Sequence, residues 1–378
     1  MIYLDHNATT PLSREALDVM QPYLRESFGN PSAIYAAGRV AKQAMVQARE
    51  QVAELLGCSA RSVIFTSGGT ESTNAAIHSS LELSDKRHLV ISSVEHSATK
   101  NLAETLERQG FGVTYVQVDA DGKLDLDQLQ RSLREDTALV SMMWANNETG
   151  ALFPIEKIGA LCQEHGVKFH VDAVQAVGKL SVDLESLPID YASVSAHKIY
   201  GPKGAGALYV NRRSGFVPLL VGGGQESGRR GGTENVPALV GFGTAATQVS
   251  EDTDGVRNLR DVFETELKQA FPDVVIHGEK SERLPNTSNF RLPGVEAESL
   301  LIQLDAAGIC ASTGSACTTG SLEPSHVLLA MGVKRADATS AVRFSFGKHN
   351  TKTELEEVLV ELRKSVARLK DGMPPLAS

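Results

Sequence analysis

Lys198 is the first residue whose position in the sequence suggests chemistry. It lies in SVSAHKIYGPKGAG, after a run of small and β-branched residues that predicts a buried strand. A lysine partly removed from water has a lowered pKa and can form a Schiff base with a carbonyl compound. An isolated lysine is usually a surface residue, but Ser195 and His197 place a hydroxyl and an imidazole beside this one. The segment therefore predicts a reactive lysine at the end of a strand.

A carboxylate lies one strand–helix–strand unit before this lysine. Asp172 ends the apolar part of HVDAVQAVGK, and Gln175 follows three residues later. A carboxylate in this place can hold a protonated pyridine nitrogen, which makes the ring an electron sink. Taken alone, Asp172 is better explained as the cap of the following helix. Because 26 residues separate Asp172 from Lys198, we expect them on neighbouring strand ends, one at each end of a bound ring.

Two further segments follow predicted strands. SGGTEST (67–73) leads into a helix, and its backbone N–H groups with the Thr70 hydroxyl form a cradle for an anion at the helix N-terminus. It lacks the Gly-Lys-Ser/Thr ending of a nucleoside-triphosphate loop, which favours a simple phosphate; a glycine-rich turn with a hydroxyl cap is the structural alternative. His96, in SSVEHSATKN, is suited either to stack on a flat ligand and transfer a proton or to cap a helix.

The four cysteines differ in their surroundings. Cys317 lies in ASTGSACTTGS, among small and hydroxylic residues, which predicts an exposed nucleophile rather than a core residue. Cys58, Cys162 and Cys310 have the surroundings of core or near-core residues. Four cysteines are too few for a disulfide scaffold in a chain of this size, and they have no zinc-ligand spacing. No metal site is predicted.

Arg343 lies inside AVRFSFG, a segment otherwise suited to a buried strand. A buried guanidinium requires a carboxylate partner. The sequence leaves two candidates open for that partner, a structural Asp or Glu and the carboxylate of an amino-acid substrate.

Short β-rich runs alternate with helical patterns between residues 62 and 196. The runs are SVIFTS (62–67), HLVISS (88–93), VTYVQV (113–118), ALVSMM (138–143), VKFHVD (167–172) and YASVSA (191–196). Strands separated by helices predict an α/β fold with a mostly parallel, buried sheet. In such sheets ligands bind beyond the carboxyl ends of the strands. Polar residues follow five of these runs, so they are predicted to meet at one edge.

The pattern changes after about residue 250. An amphipathic helix, short strands, a second helix and a long terminal helix, TKTELEEVLVELRKSVARLK, predict a smaller α+β domain. The large domain is predicted at residues 15–255, and the small one at 1–14 and 256–378. The glycine-rich stretch VGGGQESGRRGGTENVP (221–237) is too long and polar for a tight connection, which predicts a functional loop.

Composition restricts the class of protein. The 378 residues are 42% hydrophobic and carry a net charge of -9, which argues against nucleic acid or an anionic membrane as the main partner. No apolar run is long enough to span a bilayer. The N-terminus MIYLDHNATTPLS lacks the basic start and apolar core of a signal peptide. These features predict a cytoplasmic protein.

Taken together, these motifs resemble the cysteine desulfurases of the NifS/IscS class, within the class V aminotransferase family of pyridoxal-phosphate enzymes. The resemblance covers nearly the whole chain. Its motifs, in order, are YLDHNATTP, SGGTES, VEHSA, NNETG, VDAVQAVGK, SAHKIYGPKG, RRGGTENVP, STGSACTTG and LEPSHVL. It implies the aspartate-aminotransferase-like fold type I, with a mostly parallel seven-stranded sheet in the large domain.

The resemblance also implies a role for each site residue. Lys198 would hold pyridoxal 5′-phosphate covalently, Asp172 would pair with its pyridine nitrogen, and Gln175 with its phenolic oxygen. His96 would stack on the ring. The phosphate would be bound by Gly69, Thr70, Ser195 and His197, with Thr233 from the other subunit of a homodimer with shared active sites. The substrate carboxylate would be held by Asn147 and Arg343, with Asn7 nearby.

The implied reaction converts L-cysteine to L-alanine. L-cysteine displaces Lys198 from the cofactor, and the freed amine removes the α-proton. The Cys317 thiolate then takes the sulfur as a persulfide and passes it to an acceptor protein, for iron–sulfur cluster assembly or another sulfur-trafficking pathway. The resemblance also implies a transient contact of Cys317 with an iron–sulfur cluster, without a resident metal site. Members devoted to cluster assembly continue into a tail that contacts the scaffold, whereas DGMPPLAS follows the last predicted helix here, so contact with the usual scaffold is not implied.

Two alternatives compete with this interpretation. One is an enzyme of the same fold with a different outcome, such as an aminotransferase or a selenocysteine lyase. An aminotransferase has no need of Cys317. The other is a non-catalytic member that serves as a binding partner or sulfur carrier, for which no bound cofactor is expected.

Overall fold

The computed structural model describes residues 1–250, 253–313 and 324–371. Within these ranges the strands are β1 (Ile2–Tyr3), β2 (Val63–Thr66), β3 (His88–Ser92), β4 (Gly112–Val116), β5 (Thr137–Met143), β6 (Lys168–Asp172), β7 (Tyr191–Ser195), β8 (Gly206–Val210), β9 (Val275–His277), β10 (Thr287–Arg291), β11 (Ile309–Cys310) and β12 (Ala341–Ser345). The α-helices are α1 (Arg14–Arg25), α2 (Ala36–Leu55), α3 (Gly69–Glu82), α4 (Ser97–Arg108), α5 (Leu126–Ser132), α6 (Ile155–Glu164), α7 (Val236–Thr247), α8 (Asp254–Ala270), α9 (Ala297–Ala306), α10 (His326–Ala330), α11 (Arg335–Ala338) and α12 (Lys352–Lys370). No helix within these ranges combines the length and apolar character needed to cross a bilayer.

The larger sheet contains, among the described residues, seven strands in the order β2-β8-β7-β6-β5-β3-β4. Strand β8 is antiparallel to β2 and β7, and the other neighbouring pairs are parallel. Every residue of β3, β5 and β7 is buried, as expected for parallel strands covered by helices on both faces. Strands β2, β3, β5, β6 and β7 therefore end at one edge, which confirms the predicted fold class.

Helices α1, α2 and α7 pack closely because α7 is rich in small residues. A Cβ on Gly243 would lie 2.7 Å from the Ala48 Cα atom of α2, and one on Gly241 would lie 2.5 Å from the Met20 sulfur of α1. The contact with the Ala48 backbone excludes a larger side chain at position 243, whereas at position 241 a larger side chain would have to displace the flexible Met20 side chain. Glycine lowers intrinsic helix stability by about 1 kcal/mol relative to alanine, and here that loss is offset by close contact between the helices.

A second, antiparallel sheet has the order β12-β10-β9. Its core contains Phe263, Phe290 and Phe344, with the ring of Phe344 centred 5.1 and 5.2 Å from the other two. Strand β1 pairs with β11 in parallel, so the first residues of the chain join its C-terminal part. Helix α12 begins with a capping box between Thr351 and Glu354, which satisfies two free amides of its first turn. The domain boundaries stay a prediction.

The predicted elements agree with the structure to within a few residues. The six predicted strands correspond to β2–β7, and the predicted terminal helix corresponds to α12. Strand β8 and helices α1, α2 and α7 were not predicted from the residues. The glycine-rich stretch 221–237 is mainly irregular, with a short 3-10 turn at Gln225–Gly228 and the start of α7 at Val236.

Candidate active site

A cavity of about 370 Å³ lies at the edge where the five strands end. Eleven of the residues predicted to form the site line it: Asn7, Gly69, Thr70, His96, Asn147, Asp172, Gln175, Ser195, His197, Lys198 and Arg343. Thr233, predicted to act from the other subunit, is exposed and is not among the lining residues of this chain. Cys317 lies outside the described residues.

Lys198 lies in the short turn Ala196–Lys198 that directly follows β7. Its Nζ atom donates hydrogen bonds to the carbonyl oxygens of Asn7 and Ala8, at 2.5 and 2.8 Å. The backbone leaves this turn through Tyr200, which has a φ of 65°, a conformation that L-residues seldom adopt. The N-terminal segment therefore fixes the position of the lysine amine at the cavity wall.

Asp172, the last residue of β6, is buried and lines the same cavity as Lys198. Its Oδ1 atom accepts a hydrogen bond from the Val174 N–H at 3.0 Å, so it stabilises the following turn as well as lining the cavity. Burial raises the pKa of Asp172, and the nearby His96 and Lys198 together with the Val174 hydrogen bond oppose that rise. A protonated ring nitrogen beside this carboxylate would supply the charge partner that a buried carboxylate requires.

The glycine loop brings the backbone of α3 to the cavity. Gly68 precedes the helix with a φ of 152°, and a Cβ on Gly69 would lie 2.7 Å from Val174 Cγ2. Any other residue at position 69 would therefore have to displace the side chain of Val174, in the turn that follows Asp172. The amides in the first turn of a helix have no acceptor within the helix, and they attract anions. Together with Thr70 they form a cradle suited to a phosphate.

His96 caps a helix, which is one of the two roles that the sequence left open, and its stacking on a ligand stays a prediction. Its Nδ1 atom accepts a hydrogen bond from the Ala98 N–H at 3.1 Å and so caps α4. Because Nδ1 acts as an acceptor, the proton of the neutral ring resides on Nε2. The same imidazole lines the cavity, where its position is set by the helix that it caps.

His197 contributes a neutral imidazole. Burial and the charges of Lys198, Lys203 and Lys179 lower the pKa of His197 to about 4, so its ring is uncharged at neutral pH. Its Nδ1 atom lies 3.1 Å from the Thr9 hydroxyl oxygen. A neutral ring can donate one hydrogen bond to a phosphate oxygen without adding a fixed positive charge.

Arg343 has a carboxylate partner within the protein. Its Nη2 atom donates to Asp5 Oδ1 at 2.5 Å, and its Nη1 atom donates to the Asn147 carbonyl oxygen at 2.9 Å. Asn147 O also accepts from Asn7 Nδ2 at 3.1 Å. The structure thus brings together three predicted substrate ligands and identifies Asp5, which the sequence did not single out, as the residue that holds the guanidinium in place.

The three described cysteines are unsuited to nucleophilic chemistry. Burial raises the pKa of Cys58 and of Cys162 to about 12. Burial and the nearby carboxylates Asp305 and Asp5 also raise the pKa of Cys310. Thiolate is the reactive form of cysteine, so these three thiols are protonated at neutral pH, as the prediction of core or near-core residues requires.

Both flanks of residues 314–323 are attached to the cavity region. The backbones of Ser312 and Arg343 exchange two hydrogen bonds, at 3.3 and 2.6 Å. On the other side, the Ser325 hydroxyl donates to the buried carboxylate of Glu148 at 2.5 Å, and His326 Nε2 lies 2.9 Å from the Glu95 carbonyl oxygen. Ser325 and His326 are the adjacent polar residues of the LEPSHVL motif, and these contacts give each of them a structural role.

Glu95 is a buried carboxyl group that the sequence analysis missed. Its Oε1 atom accepts from the Ser92 hydroxyl at 2.5 Å and from the Met143 N–H at 3.0 Å. Burial raises the pKa of Glu95 from 4.5 to about 8, although the Ser92 and Met143 hydrogen bonds oppose the rise. The folded protein therefore holds this proton more tightly than the unfolded chain does.

This proton uptake predicts how Glu95→Gln changes stability. A raised folded-state pKa gives stability that is complete below pH 4.5 and is lost as pH rises toward about 8. The neutral variant lacks that loss, so its free energy of unfolding should rise relative to the parent by up to about 1.4 kcal/mol per pH unit in this window. Urea unfolding of both proteins at several pH values measures the difference. Glu50→Gln, at an exposed position, is the control, and a Glu95→Gln curve parallel to the parent would contradict the assignment.

Comparisons with known proteins agree with this geometry. The aminotransferase class-V family model matches residues 2–358. A cysteine desulfurase of Trichormus azollae is 47% identical over 383 residues, covering 99% of this chain and 95% of that protein. Two solved structures are also similar. A NifS-like protein has a TM-score of 0.90 at 36% identity, covering 97% of this chain and 99% of that one. The structure of SspA in complex with cysteine has a TM-score of 0.83 at 37% identity, covering 93% of this chain and 100% of that one.

The chain belongs to the aminotransferase class-V family and, within it, to the cysteine desulfurases. Enzymes of this family depend on pyridoxal phosphate, and the cavity fits that group. The buried carboxylate of Asp172 matches a protonated pyridine nitrogen, the amine of Lys198 matches an aldehyde, and the helix terminus at Gly69 matches a phosphate. The donor set thus agrees with the cofactor that the sequence predicted.

Proposed function

We propose that this protein is a pyridoxal-phosphate-dependent cysteine desulfurase that converts L-cysteine to L-alanine and transfers the sulfur to Cys317. The observation that carries the proposal is the meeting of Lys198, Asp172 and Arg343 at one cavity. The first suits covalent attachment of the cofactor, the second its activation, and the third an amino-acid carboxylate. The similarity to a cysteine desulfurase over 99% of the chain supports the same substrate.

Each residue of the cavity has a defined task in this proposal. Bound pyridoxal phosphate supplies an electron sink for the negative charge that develops at the substrate α-carbon. Arg343, held by Asp5, and Asn147 orient the substrate carboxylate. The Lys198 amine removes the α-proton. His96, whose Nδ1 atom accepts from the Ala98 amide, carries the proton of its neutral ring on Nε2 and is assigned the transfer of a proton near the cofactor ring.

Sulfur transfer requires a second nucleophile, which we assign to Cys317. Its thiolate attacks the substrate sulfur, the carbon–sulfur bond breaks with its electron pair on the alanine carbon, and a proton completes L-alanine. Cys317 is five residues from Ser312, so the chain allows a separation of at most about 18 Å between their Cα atoms. Because Ser312 pairs with Arg343, which lines the cavity, the chain between Ser312 and Cys317 is long enough for Cys317 to reach the cavity.

The proposal includes a cytoplasmic homodimer with shared active sites. Phe28, Ile34 and Val221 are 82, 90 and 86% exposed, and large apolar side chains in such positions favour a protein interface. Thr233 is also exposed. Exposure in the isolated chain is expected of a residue that completes the phosphate site of another subunit. The sulfur acceptor is a protein, with a cluster scaffold as one candidate, and iron–sulfur cluster assembly is one pathway that this sulfur would supply.

Product analysis tests the proposed function. The purified, cofactor-loaded protein is incubated with L-cysteine and a thiol reductant, and alanine, pyruvate and sulfide are quantified together. We expect alanine and sulfide in equal amounts with little pyruvate. Pyruvate with sulfide would indicate β-elimination and would remove Cys317 from the reaction. Absence of all products from a protein that retains the cofactor's yellow colour would contradict the assigned substrate.

A further inference from the structure

Lys179, the last residue of the VDAVQAVGK motif, contacts a site residue but does not line the active-site cavity. Its Nζ atom donates to the side-chain oxygen Oε1 of Gln175 at 2.6 Å. It lines a separate cavity of about 90 Å³, whose wall it shares with Lys198. A lysine in this position has no task in the reaction as described above.

The hydrogen bonds of Gln175 define which way its amide points. Its Nε2 atom donates to the Asn7 carbonyl oxygen at 2.9 Å, and a carbonyl oxygen can only accept. Its Oε1 atom consequently faces Lys179, whose ammonium group can only donate. Both contacts require the same orientation. Lys198 Nζ donates to the same Asn7 oxygen at 2.5 Å, so the Gln175 NH₂ group lies on the Lys198 side of the amide.

This orientation has a chemical consequence if Gln175 faces the phenolic oxygen of the cofactor. An NH₂ group donates to an oxygen that carries negative charge, whereas the amide oxygen would repel it. Without a donor at Lys179, a rotation of the Gln175 amide by half a turn would exchange the positions of its NH₂ group and its oxygen. Asn7 alone would then oppose the wrong orientation.

We propose that Lys179 is a positioning residue that holds the Gln175 amide with its NH₂ group toward the cofactor's phenolic oxygen. The proposal rests on the proposed function, because it assigns that oxygen to Gln175. Lys179 thus joins the residues that set the electronic properties of the cofactor, although it lies outside the active-site cavity. It acts through a single hydrogen bond, the one to Gln175.

The electrostatic surroundings bear on this role. Burial and the charges of Lys198 and Arg343 lower the pKa of Lys179 well below its usual value. Lys179 in turn lowers the pKa values of His6 and His197. The charged or titratable neighbours to consider are therefore Lys198, Arg343, His6 and His197. A neutral lysine amine still donates N–H bonds but can also accept one, so only the charged form of Lys179 excludes the reversed orientation of the Gln175 amide.

The test measures the visible absorbance of the cofactor bound to Lys198, without substrate, as a function of pH. The variants are Lys179→Met, Gln175→Ala, the double variant, and Lys179→Arg, which restores a donor. The second cavity gives the larger guanidinium room. Lys157→Met, at an exposed position of α6, is the matched control, and thermal unfolding of each protein verifies that it is folded.

We expect Lys179→Met to move the titration midpoint to higher pH by about one unit. The reason is that the phenolic oxygen, without its donor, holds the proton shared with the Lys198 nitrogen more tightly. Gln175→Ala should cause a similar shift, and the double variant should shift no further than either single variant. Lys179→Arg should restore most of the parent midpoint, and Lys157→Met should leave it unchanged.

Additive shifts in the double variant would overturn the proposal, because they would show that Lys179 acts independently of Gln175. An unchanged midpoint in Lys179→Met would overturn it as well. If Lys179→Met does not fold, Lys179→Arg and Gln175→Ala are compared by the same titration, and a shift in the former as large as in the latter would contradict the proposal. Since no turnover is measured, a protein that binds the cofactor but fails to release sulfide from L-cysteine contradicts the proposed function alone.

Discussion

Lys198→Ala should abolish the release of alanine and sulfide from L-cysteine and remove the visible absorbance of covalently bound cofactor. The Lys198 amine lies at the cavity wall, held by the carbonyl oxygens of Asn7 and Ala8. Removal of a general base alone lowers a rate by about 10²–10⁴-fold, and loss of covalent attachment adds to that effect. Absorbance spectra of the purified variant and the product assay measure the two losses separately.

Lys203→Ala provides the control for this prediction. Lys203 lies five residues further along the same loop and is exposed, so its replacement should leave both the spectrum and the products unchanged. Lys179 offers a sharper comparison because it is the other lysine near the cofactor site. If Lys198→Ala retained the parent spectrum while Lys179→Met lost it, the covalent attachment would have been assigned to the wrong lysine.

The fold was largely predictable because its strands are buried and short. Six runs of β-branched and apolar residues correspond to β2–β7. Strand β8, GALYV, follows two glycines and a proline, which made the segment resemble a loop. Helix α7 is apolar on nearly every side, and its sequence therefore lacks the one-sided pattern that identifies a surface helix.

The candidate site was predictable to a similar degree, for a topological reason. Residues that follow parallel strands converge at one edge of the sheet, so position along the chain was enough to group His96, Asp172 and Lys198. The hydrogen-bond and ion-pair partners of the site residues were harder to predict from the sequence. Asp5 meets Arg343 across 338 positions, and no local pattern specifies such a contact. Glu95 and Lys179 were passed over because their roles depend on burial and on contacts with residues that the sequence analysis did not pair with them.

Cys317→Ser should retain the cofactor and bind L-cysteine but form no persulfide. A serine hydroxyl at this position is far less nucleophilic toward sulfur than a thiolate. The protein is treated with L-cysteine without reductant, and intact-protein mass spectrometry detects the addition of one sulfur atom. The cofactor spectrum after addition of L-cysteine reports substrate binding independently, so the loss of the persulfide can be separated from the loss of the site.

Cys310→Ser is the matched control because Cys310 is the described cysteine nearest to Cys317 in the sequence, seven residues away. The pKa of its thiol is raised, which disfavours the thiolate, and the flank of the segment between the two cysteines is held by the pairing of Ser312 with Arg343. Cys310→Ser should therefore gain the sulfur atom as the parent does. If Cys317→Ser retained full sulfide release and Cys310→Ser lost it, the acceptor would be Cys310 and the role assigned to Cys317 would be wrong.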